Sequence, residues 1–155
     1  MAEFTHFKKD GSAVMVDVHE KPDTYRAASA TGTIQVSPEV FAAVRDHTAK
    51  KGDVLGVARL AGIMGAKKNA ELIPLCHIVP LTNCEVTFTT DENTNSITAV
   101  CTTSCVGKTG VEMEALTGVS TVLLTIYDMC KAMDRGMVIR DIHILEMDGG
   151  KSGHY

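Results

Sequence analysis

A β-hairpin followed by a long amphipathic helix is the feature that most limits how this chain can fold. Residues 85–90 alternate apolar and polar side chains, residues 91–95 are a polar turn, and residues 96–105 alternate again. This pattern predicts two antiparallel strands. Residues 111–134 then carry apolar side chains at spacings of three and four, which predicts a helix with one buried face. The expected core positions of that helix are Leu116, Val119, Leu123, Ile126, Cys130 and Met133.

The first part of the chain predicts a strand and then a helix. Residues 25–36 are rich in Ala, Thr, Ile and Val without a helical period, which favours a strand. Ser37 is expected to cap a helix that has Pro38 at its first position and runs to about Ala49. Before the strand, residues 1–24 are predicted to form a weakly ordered N-terminal arm.

Three further segments complete the predicted order of elements. Asp53 is expected to cap a helix that runs to about Ala66, residues 69–81 read as a proline-punctuated loop, and residues 137–145 as the last strand. This order is the split βαβ pattern and predicts an α+β ferredoxin-like sandwich, an antiparallel sheet with helices on one face. Because few elements remain to cover the other face, we expect an oligomer. We place a single domain at residues 25–147 and a flexible glycine-rich tail at residues 148–155.

Composition narrows the classes of partner. The net charge of −4 argues against broad binding of nucleic acid, although a local cationic pocket for an anionic ligand remains compatible with it. No apolar run is long enough for a membrane span, and the N-terminus lacks the apolar region of a secretory signal, so a cytoplasmic location is expected. The five cysteines form no C-x-x-C pair, which predicts reduced thiols and no metal site.

The long predicted helix carries a second stripe of polar residues that includes Glu114, Asp128 and Lys131. One interpretation is a solvated face with an ion pair between Asp128 and Lys131. The other makes Asp128 an acid/base group whose pKa is lowered by Lys131. Glu114 and Asp128 would stand about 21 Å apart along the helix. They could therefore serve one small-molecule site only if two subunits build it.

Other candidate residues allow a structural and a functional interpretation. His77 is either a buried histidine bonded to backbone, or a functional residue that contacts a purine or phosphate or acts as a general acid. Cys76, next to it, favours packing. Two glycine–lysine segments, at residues 107–109 and 150–152, resemble phosphate loops, but neither is a complete motif. Lys51 is either a solvated lysine or a ligand for a polyphosphate.

Long stretches of the chain together resemble one family, the cyclic pyranopterin monophosphate synthases of molybdenum cofactor biosynthesis (protein C). The most specific of them are GKTGVEMEALT at residues 107–117 and LTIYDMCKA at residues 124–132. The shorter ones are MVDV at residues 15–18, KGDV at 51–54, ARLAGI at 58–63, LIPLCH at 72–77 and GGKSG at 149–153. The resemblance covers nearly the whole chain.

The resemblance implies an enzyme, a lyase of the phosphorus–oxygen type. Its substrate would be 3′,8-cyclo-7,8-dihydroguanosine 5′-triphosphate, and its products cyclic pyranopterin monophosphate and pyrophosphate. The resemblance also implies a ferredoxin-like subunit in a homohexamer, a trimer of dimers, with active sites between subunits. No cofactor would be required, although Mg²⁺ could accompany the triphosphate.

The same resemblance assigns roles residue by residue. It implies that Asp128, Lys131 and Lys51 are catalytic. The residues that it implies for substrate binding are Leu75, Cys76, His77, Glu112, Met113, Glu114, Arg26 and Lys151. The chain departs from the family pattern at Met147, where relatives often carry a lysine. Two other classes stay open: a carrier or regulator that binds a nucleotide or pterin unchanged, and a structural oligomer without a ligand.

Overall fold

The computed structural model describes residues 4–151 and 153–155; residues 1–3 of the predicted arm and Ser152 of the predicted tail lie outside the described residues. The described residues contain four strands and four helices. In chain order they are β1 (Thr24–Gln35), α1 (Pro38–Arg45), α2 (Val54–Lys67), α3 (Asn69–Leu72), β2 (Asn83–Asp91), β3 (Ser96–Gly107), α4 (Glu112–Cys130) and β4 (Val138–Asp148).

The four strands form one antiparallel sheet in the order β2-β3-β1-β4. The hairpin of β2 and β3 is the one that the alternating pattern predicts. Strand β1 lies in the middle, with Ala30 opposite Cys101 on one side and Ile144 on the other. The predicted α+β class with an antiparallel sheet is therefore confirmed. The last strand extends to Asp148, three residues beyond its predicted end.

Helices α2 and α4 pack on one face of the sheet. Small and β-branched residues of β1, such as Ala28, Ala30 and Ile34, are buried beneath α4. The predicted stripe of α4 is buried from Val119 to Cys130, while Leu116 is only partly buried. Met133 was wrongly predicted to lie in the core: it is 49% exposed, because α4 ends before it.

Glycines allow α2 and α4 to cross at short distance. A Cβ atom on Gly62 of α2 would collide with the Val122 side chain and lie 3.2 Å from the carbonyl oxygen of Gly118 on α4. A Cβ atom on Gly118 would lie 2.7 Å from Sγ of Cys101. The backbones of both helices therefore approach each other and the sheet more closely than side chains would permit.

The helix starts were predicted better than the helix ends. Ser37 accepts a hydrogen bond from the N–H of Val40 at 3.2 Å, and Asp53 accepts one from Gly56 at 3.0 Å, so both predicted N-caps are confirmed. Helix α1 ends at Arg45 rather than near Ala49, because His47 adopts a positive φ of 58°.

Helix α4 ends at Cys130 rather than near Asp134. The N–H groups of Met133 and Asp134 both bond the carbonyl oxygen of Cys130, which closes a turn. The side chain of Asp134 then accepts from the N–H of Gly136 at 2.8 Å. The chain thus leaves the helix before it reaches Gly136.

The segment predicted as a loop at residues 69–81 begins with α3, a single helical turn. The N–H of Lys68 bonds carbonyl oxygens of the last turn of α2, so α3 follows α2 almost without a break. The N-terminal segment crosses the remainder of this loop, because Nε2 of His77 donates to the carbonyl oxygen of Val16 at 2.5 Å.

The structure also bears on the cysteines and on the search for a membrane-spanning helix. All five cysteines are free thiols, as the sequence predicted, and Cys101 and Cys105 are buried on the same face of β3. In the part of the chain that is described, no helix is both long and apolar enough to cross a membrane.

Candidate functional site

A cavity of about 340 Å³ gathers most of the residues predicted to bind substrate. It lies where the start of α4, the beginning of β1, the loop after α3 and the N-terminal segment meet. Seven of the eight predicted binding residues line it: Arg26, Leu75, Cys76, His77, Glu112, Met113 and Glu114. These residues come from three separate parts of the sequence. The fold therefore brings together side chains that are far apart along the chain.

Arg26 is fixed on the wall of this cavity by its own strand. Its Nε donates to the Thr24 hydroxyl at 2.8 Å, and one terminal nitrogen donates to the carbonyl oxygen of Lys108 at 3.3 Å. Neither partner is a carboxylate, so the positive charge of Arg26 is not neutralised by these bonds. The guanidinium can therefore meet an anionic ligand.

Two glutamates enter the cavity from the first turn of α4. Glu114 is only 4% exposed, and Oε2 of Glu112 is buried without a hydrogen-bond partner among the described residues. Burial raises the pKa of Glu114, its own backbone N–H lowers it, and the carboxylate of Glu112 raises it further. A pair of carboxylates with an unused acceptor suits a ligand that presents N–H donors.

His77 and Cys76 form the opposite wall. The bond from His77 to the backbone of Val16 is the contact that the structural interpretation predicts, and the ring nevertheless lines the cavity. Both residues also border a neighbouring cavity of about 610 Å³ that reaches Lys108 and Thr109. The two cavities thus share wall residues along the loop after α3.

The three residues predicted to be catalytic form a second cluster at the other end of α4. Nζ of Lys131 lies 2.8 Å from Oδ1 of Asp128, and Nζ of Lys51 lies 3.9 Å from Oδ2 and donates to the Asp128 carbonyl oxygen at 3.2 Å. The hydrogen bond from Lys131, its charge and the charge of Lys51 all lower the pKa of Asp128. Because Asp128 is 60% exposed, a ligand can reach the whole cluster from outside.

Within this one chain the two clusters do not meet. Glu114 and Asp128 both lie on α4, fourteen positions apart, which corresponds to about 21 Å. The structure therefore confirms the separation that the sequence predicted from helix geometry.

The eighth predicted binding residue, Lys151, is exposed and does not line the cavity. The tail around it nevertheless lies close by. A Cβ atom on Gly150 would collide with the guanidinium of Arg26, and the backbone of Tyr155 pairs with that of Met147. Arg26, Glu112 and residues of this tail together line a smaller cavity of about 100 Å³.

Sequence reasoning missed a histidine and a lysine that line the cavity, His6 and Lys21. Both lie in the N-terminal segment that was predicted to be an arm, and no local pattern marks either as functional. The carbonyl oxygen of Lys21 accepts from Nζ of Lys108 at 2.8 Å, a contact 87 residues apart in sequence. In residues 4–151 and 153–155 no group of three or more His, Cys, Asp or Glu side chains is placed to hold a metal ion.

One family model and two named relatives match nearly the whole of this chain. The model of the MoaC family matches residues 15–150. A protein of Limosilactobacillus fermentum named cyclic pyranopterin monophosphate synthase is 55% identical over 151 residues, which are 97% of this chain and 91% of the relative. A protein of Clostridium botulinum with the same name is 54% identical over 153 residues, 99% of this chain and 96% of the relative.

Proposed function

From the premise that this chain belongs to the MoaC family, we infer that it catalyses the reaction for which its relatives are named, the synthesis of cyclic pyranopterin monophosphate. The enzyme acts in molybdenum cofactor biosynthesis on a small-molecule substrate. That substrate is 3′,8-cyclo-7,8-dihydroguanosine 5′-triphosphate. The guanine-derived rings are rebuilt into a pyranopterin, and an internal hydroxyl attacks the phosphorus and displaces pyrophosphate.

The observation that carries this proposal is the composition of the 340 Å³ cavity. It combines cationic groups for a triphosphate with carboxylates for a purine-derived ring. We propose that Glu112 and Glu114 accept the N–H groups of the base, since Oε2 of Glu112 has an unused acceptor. Arg26, with Lys151 from the adjacent tail, binds phosphate oxygens. Leu75, Cys76, His77 and Met113 enclose the ligand.

We assign proton transfer to the second cluster. Lys131 and Lys51 keep Asp128 ionised, because both amines approach its carboxylate. A carboxylate can accept a proton during ring opening, and a neighbouring ammonium can return one during ring closure. The lysines also stabilise the charge that develops on the leaving pyrophosphate.

The distance between the two clusters supports an active site shared between subunits. We propose a homohexamer, a trimer of dimers, in which the carboxylate cavity of one subunit faces Asp128 of another. An apolar stripe on α2 supports an interface, since Val57, Leu60 and Met64 are each at least 45% exposed. The strand order β2-β3-β1-β4 supports the ferredoxin-like description of each subunit.

The remaining parts of the proposal concern the chain ends, cofactors and location. We keep an N-terminal arm, a single domain at residues 25–147 and a C-terminal tail that contributes to the site, with β1 and β4 extending the domain by one residue each, to Thr24 and Asp148. We propose that no resident cofactor is required and that any Mg²⁺ enters bound to the triphosphate, whose oxygens are its usual ligands. We propose a cytoplasmic location.

The test is to incubate the purified protein with the cyclic GTP-derived substrate, and to measure pyrophosphate and the fluorescent pterin obtained by oxidation. The proposal expects both products in equal amounts from the wild type and neither from Asp128→Ala. A protein that binds the substrate tightly and releases it unchanged would be a carrier, and that result would overturn the proposed activity. No binding at all would favour a structural oligomer.

A further inference from the structure

Asn69 is a buried amide whose two side-chain hydrogen bonds both reach the helix that carries the cavity glutamates. It is 1% exposed, on the first residue of α3. The Thr117 hydroxyl donates to its Oδ1 at 2.7 Å, and its Nδ2 donates to Oε1 of Glu114 at 3.4 Å. An amide withdrawn from water costs free energy unless both of its ends are bonded, and here both partners belong to α4.

The two bonds together fix the orientation of this amide. The threonine hydroxyl already bonds the oxygen end, so the NH₂ end is left to face Glu114. The backbone is held as well, because the N–H of Ile73 donates to the carbonyl oxygen of Asn69 at 2.9 Å. Asn69 therefore presents one N–H group in a fixed direction to the carboxylate that lines the cavity.

We propose that Asn69 is a positioning residue that orients the Glu114 carboxylate toward the ligand, with Thr117 holding the amide of Asn69 in place. The proposal rests on the proposed function, in which Glu114 contacts the base of the substrate. It assigns a functional consequence to α3, which otherwise only connects α2 to the loop. Asn69 acts through Glu114 and does not itself line the 340 Å³ cavity.

The surroundings of Glu114 explain why this donor matters. Glu112 on α4 adds like charge, and the thiol of Cys105 approaches from β3. Burial is the main cause that raises the pKa of Glu114, whereas the amide of Asn69 lowers it. The other ionisable groups that line the cavity are Arg26 of β1, Cys76 and His77 of the loop, and His6 and Lys21 of the N-terminal segment. Without the amide of Asn69, the protonated carboxyl becomes more favourable, and a free carboxyl can rotate away.

The test uses Asn69→Leu, which keeps the volume but removes the donor, and Thr117→Val, which removes only the hydroxyl that orients the amide. Thr125→Val is the matched control, because it makes the same exchange of a hydroxyl for a methyl on α4, and the Thr125 hydroxyl donates to the carbonyl oxygen of Thr121 rather than to Asn69. The protein is labelled with ¹³C at the glutamate carboxyl carbons. The resonance of Glu114 is identified by its loss in Glu114→Gln and titrated with pH.

We expect the titration midpoint of Glu114 to move upward in Asn69→Leu and Thr117→Val and to stay in place in Thr125→Val. In the product assay, kcat is expected to fall about tenfold in the first two variants, the equivalent of one hydrogen bond to a charged group. Thr117→Ser retains the hydroxyl and should restore both readouts.

An unchanged midpoint in both Asn69→Leu and Thr117→Val would overturn the positioning role, as would an equal shift in Thr125→Val. Because Thr117→Val is close to isosteric, we expect it to fold. It therefore still tests the proposal if Asn69→Leu does not fold. The titration needs no substrate. If the wild type makes no pyrophosphate or pterin, the proposed function fails while the titration still reports the contact between Asn69 and Glu114.

Discussion

Asp128 is the residue whose environment most directly predicts a kinetic effect. It is paired with Lys131 at 2.8 Å and approached by Lys51, in an exposed position that carries little of the core. We expect Asp128→Ala and Lys131→Ala each to reduce turnover at least about 10²-fold, as for the loss of an acid/base group. Their melting temperatures should remain near that of the wild type, because exposed ion pairs contribute little to stability.

The matched control for this experiment is Asp46→Ala, which removes the carboxylate of another exposed ion pair, with Arg45 at 2.9 Å. It should retain full turnover. Turnover, circular dichroism and thermal melting of all three variants decide the result. A near-normal rate in Asp128→Ala would remove Asp128 from the mechanism.

Glu114 predicts a dependence of stability on pH. Its pKa in the folded state is raised by burial above the usual 4.5, so the folded protein binds this proton more tightly than the unfolded chain. Stability is therefore lost as the pH rises from the unfolded value through the folded one. Glu114→Gln removes the ionisable group, and Gln can still accept from Asn69. We expect Glu114→Gln to melt above the wild type at pH 7, with the difference shrinking toward pH 4.

Melting curves of wild type and Glu114→Gln between pH 4 and 8 measure this difference. A variant that melts below the wild type at pH 7 would contradict the sign of the pKa shift. The neutral substitution also separates stability from binding, because the same protein can be assayed for substrate turnover.

Individual residues of the site differ in how well their sequence reveals them. The Asp128–Lys131 pair follows from a spacing of three on a helix, and the structure places the two groups in contact. His6, Lys21 and Asn69 carry no such signal, because their contacts with the site join segments 45 to 87 residues apart or lie across a cavity. Local patterns describe neighbours on one element, and these residues act through tertiary contacts.

At the scale of elements, the starts of helices were easier to predict than their ends. Ser37 and Asp53 cap by a short-range bond that the sequence itself encodes. The helix ends depend on backbone conformations that the local sequence does not mark, such as the positive φ of His47 and the turn that follows Cys130. Helix α3 was missed because it is a single turn stabilised by its continuation from α2 and by packing, with no periodicity of its own.

The crossing of α2 over α4 predicts a specific packing defect. A methyl group at position 62 would collide with Val122, so Gly62→Ala is expected to cost about 1–3 kcal/mol. In an open helix the same change would stabilise by about 1 kcal/mol, so the sign itself is diagnostic. Urea unfolding measures the difference in free energy.

Val122→Ala provides the control, because it removes the group that the new methyl would strike. The double variant Gly62→Ala/Val122→Ala should be destabilised by less than the sum of the two single variants, by at least about 0.5 kcal/mol. Additive energies would mean that the helices separate rather than collide.

For the whole molecule, the separation of the two clusters predicts complementation between inactive subunits. Asp128→Ala damages one end of α4 and Glu114→Gln the other, about 21 Å away. If each active site combines the two ends from different subunits, a mixed dimer contains one site in which both ends are intact. Co-expression of the two variants in equal amounts should therefore restore about a quarter of the wild-type activity, as random pairing across a two-fold interface requires.

The pairing of Asp128→Ala with Lys131→Ala is the matched control, because both changes fall in the same cluster and no combination of these subunits contains an intact one. It should stay inactive. Activity is measured as pyrophosphate released per subunit, after the mixed oligomers have been isolated through two different affinity tags. If the mixture of Asp128→Ala and Glu114→Gln is as inactive as the control, each site lies within one chain. The long α4 helix would then carry two separate functions rather than two halves of one.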